Sequence, residues 1–198
     1  QLQNIFEEKY GCKFLDGELP RGFSETADWL RMVGRLYGKT AEAEQVIAEK
    51  QLQYRNQIDA LKPLYKNKKV LFFLNNKIID WIFELSRDLD WNVVDSILIG
   101  SKEDRTMDWR HQFSKDWDGN LESLKKSIAE KKPDLIILNH SIAQACIPAD
   151  IFTANLSRDV GSGFFAGTEC ALRWSQLFEN SLEGRWKHDK SIFEKLCC

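Results

Sequence analysis

The stretch Lys132-Pro-Asp-Leu-Ile-Ile-Leu-Asn-His-Ser141 constrains the fold more than any other. A lysine-rich helix end, a proline and an acid lead into an unbroken apolar run, which stops abruptly at three polar residues. A short run that is apolar at every position is buried on both faces, as a strand of a parallel sheet is. In open α/β sheets ligands bind beyond the carboxyl ends of the strands. Asn139, His140 and Ser141 therefore occupy the position where chemistry is to be sought first.

From residue 66 onward strand-like and helix-like patterns alternate, the sign of a parallel sheet wrapped by helices. Strands are expected at 69–74, 91–99, 135–138 and 151–154, with 70–74 and 135–138 central because both are apolar throughout. Helices are expected at 78–89, 121–131, 168–180 and 190–196, the third with Ala171, Leu172, Trp174, Leu177 and Phe178 inward. Residues 142–146 read as one or two helical turns, and 102–118, polar and aromatic without a clear period, as a long loop or irregular helix. The fold class is thus α/β, a Rossmann-like parallel sheet of about four strands with helices on both faces, preceded by a helical N-terminal segment.

In that segment residues 2–10 form a helix closed by Gly11, 12–15 a short strand and 16–22 a loop rich in glycine and proline. Ser24 is expected to cap a helix carrying Trp29, Leu30, Val33, Leu36 and Tyr37, stopped by Gly38. Thr40 is expected to cap a longer connecting helix, 41–64, with Val46, Ile47, Leu52, Tyr54, Ile58 and Leu61 at helical spacing. Residues 1–65 then read as the trailing part of a preceding subdomain with its connecting helix, and 66–198 as a Rossmann-like subdomain. The chain opens inside a helix without a cap, which reads as a piece of a longer protein.

Composition narrows the partners. Lys plus Arg number 28 against 30 Asp plus Glu, a net charge of -2 with mixed signs, so no basic field exists to hold nucleic acid. Apolar runs such as 70–74 are far too short to span a membrane, and no signal peptide is evident, so a cytoplasmic protein is expected. Cys12, Cys146, Cys170, Cys197 and Cys198 are an odd set without CxxC, which reads as reduced thiols and not as a disulfide framework or zinc site.

Three polar segments share the expected strand-end rim: Asn75-Asn76-Lys77, Asn139-His140-Ser141, and the loop 157–167 with Arg158, Asp159, Gly161 and Gly163. The first strand ends in asparagines, so the glycine fingerprint of dinucleotide sites is absent from the turn where it belongs. The glycine loop has two readings, a tight turn against the sheet or a lid over a ligand or partner chain. His140 and Ser141 have no second histidine or carboxylate at defined spacing, so a Ser-His-Asp arrangement does not follow, and a hydrogen-bonded structural histidine is the plainer reading. The rim carries Lys77 and Arg158 against Asp159 and suits a neutral or mildly anionic ligand.

The order of several stretches resembles the component 1 family of nitrogenases and nitrogenase-like oxidoreductases. These are Phe6-Glu-Glu-Lys-Tyr-Gly11, Thr26-Ala-Asp-Trp-Leu-Arg31, Lys69-Val-Leu-Phe-Phe-Leu-Asn-Asn76, Lys132-Pro-Asp-Leu-Ile-Ile137 and Ser157-Arg-Asp-Val-Gly-Ser-Gly163. The resemblance implies three Rossmann-like subdomains around a metallocluster or tetrapyrrole site, this chain being the end of the middle one and the whole last one. It implies an iron-sulfur cluster or metallocluster in the full-length protein and none in this fragment, which alone would be inactive. It also implies two partners, a sister component 1 subunit and an ATP-dependent iron-sulfur reductase that supplies electrons. In molybdenum nitrogenase a histidine in the corresponding loop ligates the cofactor metal; Leu156 stands there, and a leucine offers no donor atom. The resemblance therefore points to a nitrogenase-like reductase. A cofactor-assembly scaffold or a flavodoxin-like module binding a small ligand without catalysis is the alternative.

Overall fold

A computed structural model of the chain describes residues 8–11, 19–75, 80–99, 115–117, 119–139, 147–148, 151–156 and 161–179. Its centre is a parallel sheet whose two middle strands are apolar and buried throughout 70–74 and 135–138. Strand β1 (Lys69–Asn75) pairs on one side with β2 (Asn92–Ile99) and on the other with β4 (Leu135–Leu138). Strand β5 (Phe152–Asn155) flanks β4, and β3 (Lys115–Asp116) flanks β2, all in parallel, giving the order β3-β2-β1-β4-β5. Leu135, Ile136, Ile137 and Leu138 are each 0% exposed, so the run that anchored the sequence reading is an interior strand. The four expected strands are present. A two-residue fifth, β3, lies in the stretch read as loop or irregular helix; so short an edge has no period to detect.

Alternation along β1 sorts its side chains to two layers. Val70, Phe72 and Leu74 face helices α2 (Thr40–Tyr65), α3 (Asp80–Asp88) and α5 (Ala166–Glu179), where Tyr65, Trp81, Leu85, Cys170 and Trp174 fill the core. Leu71 and Phe73 face the other way, with Leu124 and Ile128 of α4 (Leu121–Lys131). Helices thus cover both faces. Tyr54, Ile58, Leu61 and Tyr65 bring the second half of α2 into the same core, and the Tyr65 hydroxyl donates to the Ala171 carbonyl at 2.6 Å.

The helix ends show why two expected caps are wrong. Helix α1 (Phe23–Tyr37) begins after Gly22, so Ser24 lies inside it; its N–H and hydroxyl both point at the Glu84 carboxylate of α3, with the N–H 3.1 Å from the nearer oxygen. Another helix therefore supplies the acceptor that an N-cap side chain would offer. Helix α2 begins at Thr40 itself, after Lys39, and no side chain caps it. Gly38 does end α1, in the left-handed region at φ 66°. Asn120 caps α4 by accepting from the Glu122 N–H at 2.9 Å. Leu172, expected inward, is 51% exposed, and Tyr37 and Leu52 also face solvent, because those helices bury a narrower stripe than their apolar content suggests. Residues 8–10 are helical and Gly11 follows at φ 62°, as expected; the expected elements at 12–15, 142–146 and 190–196 lie outside the described residues. No described helix is long and apolar enough to cross a membrane.

Candidate functional site

From β1 the sheet grows one way through β2 to β3 and the other way through β4 to β5, so the order reverses between β1 and β4. At such a switch point the flanking loops diverge and leave a crevice beyond the carboxyl ends. Asn75 ends β1 and Asn139 follows β4, so the two residues expected from sequence meet at this point. The Asn75 N–H donates to the Asn139 Oδ1 at 2.7 Å, and the Asn139 Nδ2 donates to the Asn75 Oδ1 at 2.6 Å. A matching bracket closes the amino ends: Asp134 accepts from the Lys69 N–H at 2.7 Å and its own N–H donates to the Lys69 carbonyl at 2.8 Å. The crevice floor is thus a pair of neutral, half-buried amides held in one geometry, polar enough to orient a ligand but unable to carry a proton between states.

The glycine loop meets a different neighbour from the one foreseen. The Gly163 N–H donates to the Pro20 carbonyl at 2.8 Å, and Gly163 bridges Arg21. Phe164 stacks near Phe23, ring centroids 5.3 Å apart. Below them Gly22, at φ 78°, lies so close to α3 that a Cβ there would sit 2.7 Å from the Trp81 Cβ. Residues 20–24 therefore form a strap between the glycine loop and α3. Gly163 itself has φ 95°, a conformation strained for any L side chain, although a Cβ would meet nothing within 4 Å. Its N–H is engaged by Pro20, so it is not available to an anion. A Cβ at Gly161 would also meet nothing within 4 Å. Asn76, Lys77, His140, Ser141, Arg158 and Asp159 lie outside the described residues.

Glu25 accepts from the Arg21 N–H at 3.0 Å beside this strap. Burial pushes its carboxyl above the usual range, and the negative charges of Asp80 and Glu84 push the same way, against the Arg21 hydrogen bond and charge. Arg21, Glu25 and Glu84 escaped the sequence reading because their partners are distant or unpatterned. The one available signal was the Gly17, Pro20 and Gly22 loop, which marked a turn and not what the turn would touch.

Among the described residues no group of three His, Cys, Asp or Glu is placed to hold a metal, and Cys170, in no disulfide, is 0% exposed inside the core. These residues do not fit a metallocluster.

The family model for nitrogenase component 1 type oxidoreductases matches residues 1–156. This chain belongs to that family. The fold of nitrogenase Cp1 at pH 6.5 agrees, with a TM-score of 0.55 at 14% identity over 94% of this chain. The match takes in 47% of that protein, so the chain spans about half its length. No curated protein matches. Leu156 follows β5 at 8% exposure and belongs to the same core as Ala154 and Leu135.

Proposed function

We propose that the chain is the C-terminal part of a nitrogenase-like component 1 oxidoreductase subunit. In the full-length protein it would work with a sister subunit and take electrons from an ATP-dependent iron-sulfur reductase. Residues 1–65 would finish a middle subdomain and 66–198 form the last one. The rim beyond Asn75 and Asn139 would face the central cleft, with Asn76, Lys77, His140, Ser141, Arg158, Asp159, Gly161 and Gly163 around it. A cytoplasmic setting follows from the same family reading.

The observation that supports the reading is Leu156, packed in the core of a family member where the resemblance implies a cofactor-ligating histidine. It argues for a reaction other than nitrogen fixation, since a side chain without nitrogen, oxygen or sulfur donors cannot hold the metal. It equally suits a scaffold or a non-catalytic ligand-binding module. Iron analysis of the anaerobically purified full-length protein separates the readings. Stoichiometric iron and sulfide, reduced when the ATP-dependent reductase is added, support the enzyme; a protein free of iron that still assembles with its sister subunit refutes it.

A further inference from the structure

An open groove of about 400 Å³ lies at the amino ends of β4 and β5, the opposite end of the strands from the asparagine pair. Its carbon lining comes from Ile128 and Ala129 of α4 and from Pro133, Pro148, Ile151 and Phe152. Ala129 and Pro148 are exposed and Ile151 and Phe152 partly so, which leaves apolar surface in water at the mouth. The prolines have no N–H to offer, and the N–H groups of Lys132, Asp134 and Ile151 already donate to the Ile128, Lys69 and Pro148 carbonyls at 2.8, 2.8 and 3.1 Å. Lys132 and Asp134, the two charged residues of the lining, have opposite signs, so the groove selects no ion. With these donors engaged and the charge balanced, what it can take up is apolar side chains.

The chain itself supplies an occupant. Helix α5 ends at Glu179, and the Phe178 ring meets the Phe152 ring edge-on with centroids 6.0 Å apart, so the chain leaves α5 beside a residue that lines the groove. The ten residues 180–189 can span about 30 Å. That is ample to bring in 190–196, the stretch whose pattern predicts a helix, with Ile192, Phe193 and Leu196 on one side of it. We propose that residues 190–196 dock in this groove, with Ile192, Phe193 and Leu196 against Ala129, Ile151 and Phe152. The last helix then covers the amino ends of β4 and β5, and the end of the chain is kept away from the rim beyond Asn75 and Asn139.

Photo-cross-linking of the full 198-residue chain from p-benzoylphenylalanine placed at position 193 tests this. An intramolecular cross-link to 128–134 or 148–152 is expected, independent of protein concentration, and lost in Ala129→Arg and in Pro148→Arg, which fill the groove from two different segments. Both residues are exposed, so the variants should keep the circular dichroism of the parent chain. A cross-link between two chains assigns the groove to a second copy, and one to the segments around Asn75 or Asn139 makes the tail a cover for the rim; either overturns the proposal. So does the absence of any cross-link, or one that persists undiminished in either folded variant.

Discussion

Replacing Glu84 by alanine isolates the contact that lets α1 start without a cap of its own. The carboxylate accepts from both the N–H and the hydroxyl of Ser24, sixty residues away in sequence. Losing an N-terminal cap costs about 0.5–2 kcal/mol, and hydrogen bonds to a charged group are worth about 1.5–3 kcal/mol. Part is returned, because the Glu84 charge opposes the half-buried Glu25 carboxylate. The net loss should be about 1–2 kcal/mol, a fall in urea midpoint of roughly 0.5 M at unchanged slope. Ser24→Ala removes the hydroxyl and keeps the N–H, so it should cost less. The double variant should cost less than the sum of the two singles, with a coupling of at least about 0.5 kcal/mol. Additive effects, or a neutral Glu84→Ala, would refute the idea that one helix caps another here.

Glu25→Gln should stabilise the chain near neutral pH. A carboxyl whose folded pKa lies above its unfolded value penalises folding when charged, so the gain should fade as pH drops through the folded value and vanish below the ordinary one, as urea midpoints across pH would reveal. Gly34→Ala would place a Cβ 2.8 Å from the Ala43 Cβ and 3.1 Å from the Lys39 carbonyl. Overpacking of about 1–3 kcal/mol should outweigh the roughly 1 kcal/mol gain in helix propensity, and a raised melting temperature would contradict the close approach of α1 and α2. Asn139→Ala removes both hydrogen bonds between the two amides in a half-buried place and should cost about 1–3 kcal/mol in urea denaturation; no loss would mean the amide pair does not hold the crevice.

What was legible in the sequence was legible for local reasons. The runs 70–74 and 135–138 are apolar at every position, which only an interior parallel strand explains, and both are central. Helix α4 carries its own cap in Asn120 and its bounds agree with expectation. The rim placed Asn75 and Asn139 correctly as strand ends, though nothing local says that their amides bond each other. What was missed is non-local. The start of α1 is set by Glu84 and not by Ser24, and the glycine loop is met by Pro20 from the far end of the chain. Leu172 shows the limit of composition, since helical spacing identifies a stripe without saying how wide the neighbouring surface is.

The position of β1 between two later strands bears on how the chain acquires its shape. Val70 pairs with Val93 on one side and Leu135 on the other, so the first strand made waits for both partners. Pairings so separated in sequence slow folding, because chain closure precedes the contacts that reward it. While β1 has β2 alone beside it, its second edge is a bare, wholly apolar template for another chain. Asp134 and Asn139 bond to β1 just before and just after the strand that covers this edge, so both brackets close only when β4 docks in register. A chain ending before Leu135 should therefore self-associate, and one reaching past Asn155, where β5 covers the outer edge of β4 in turn, should not.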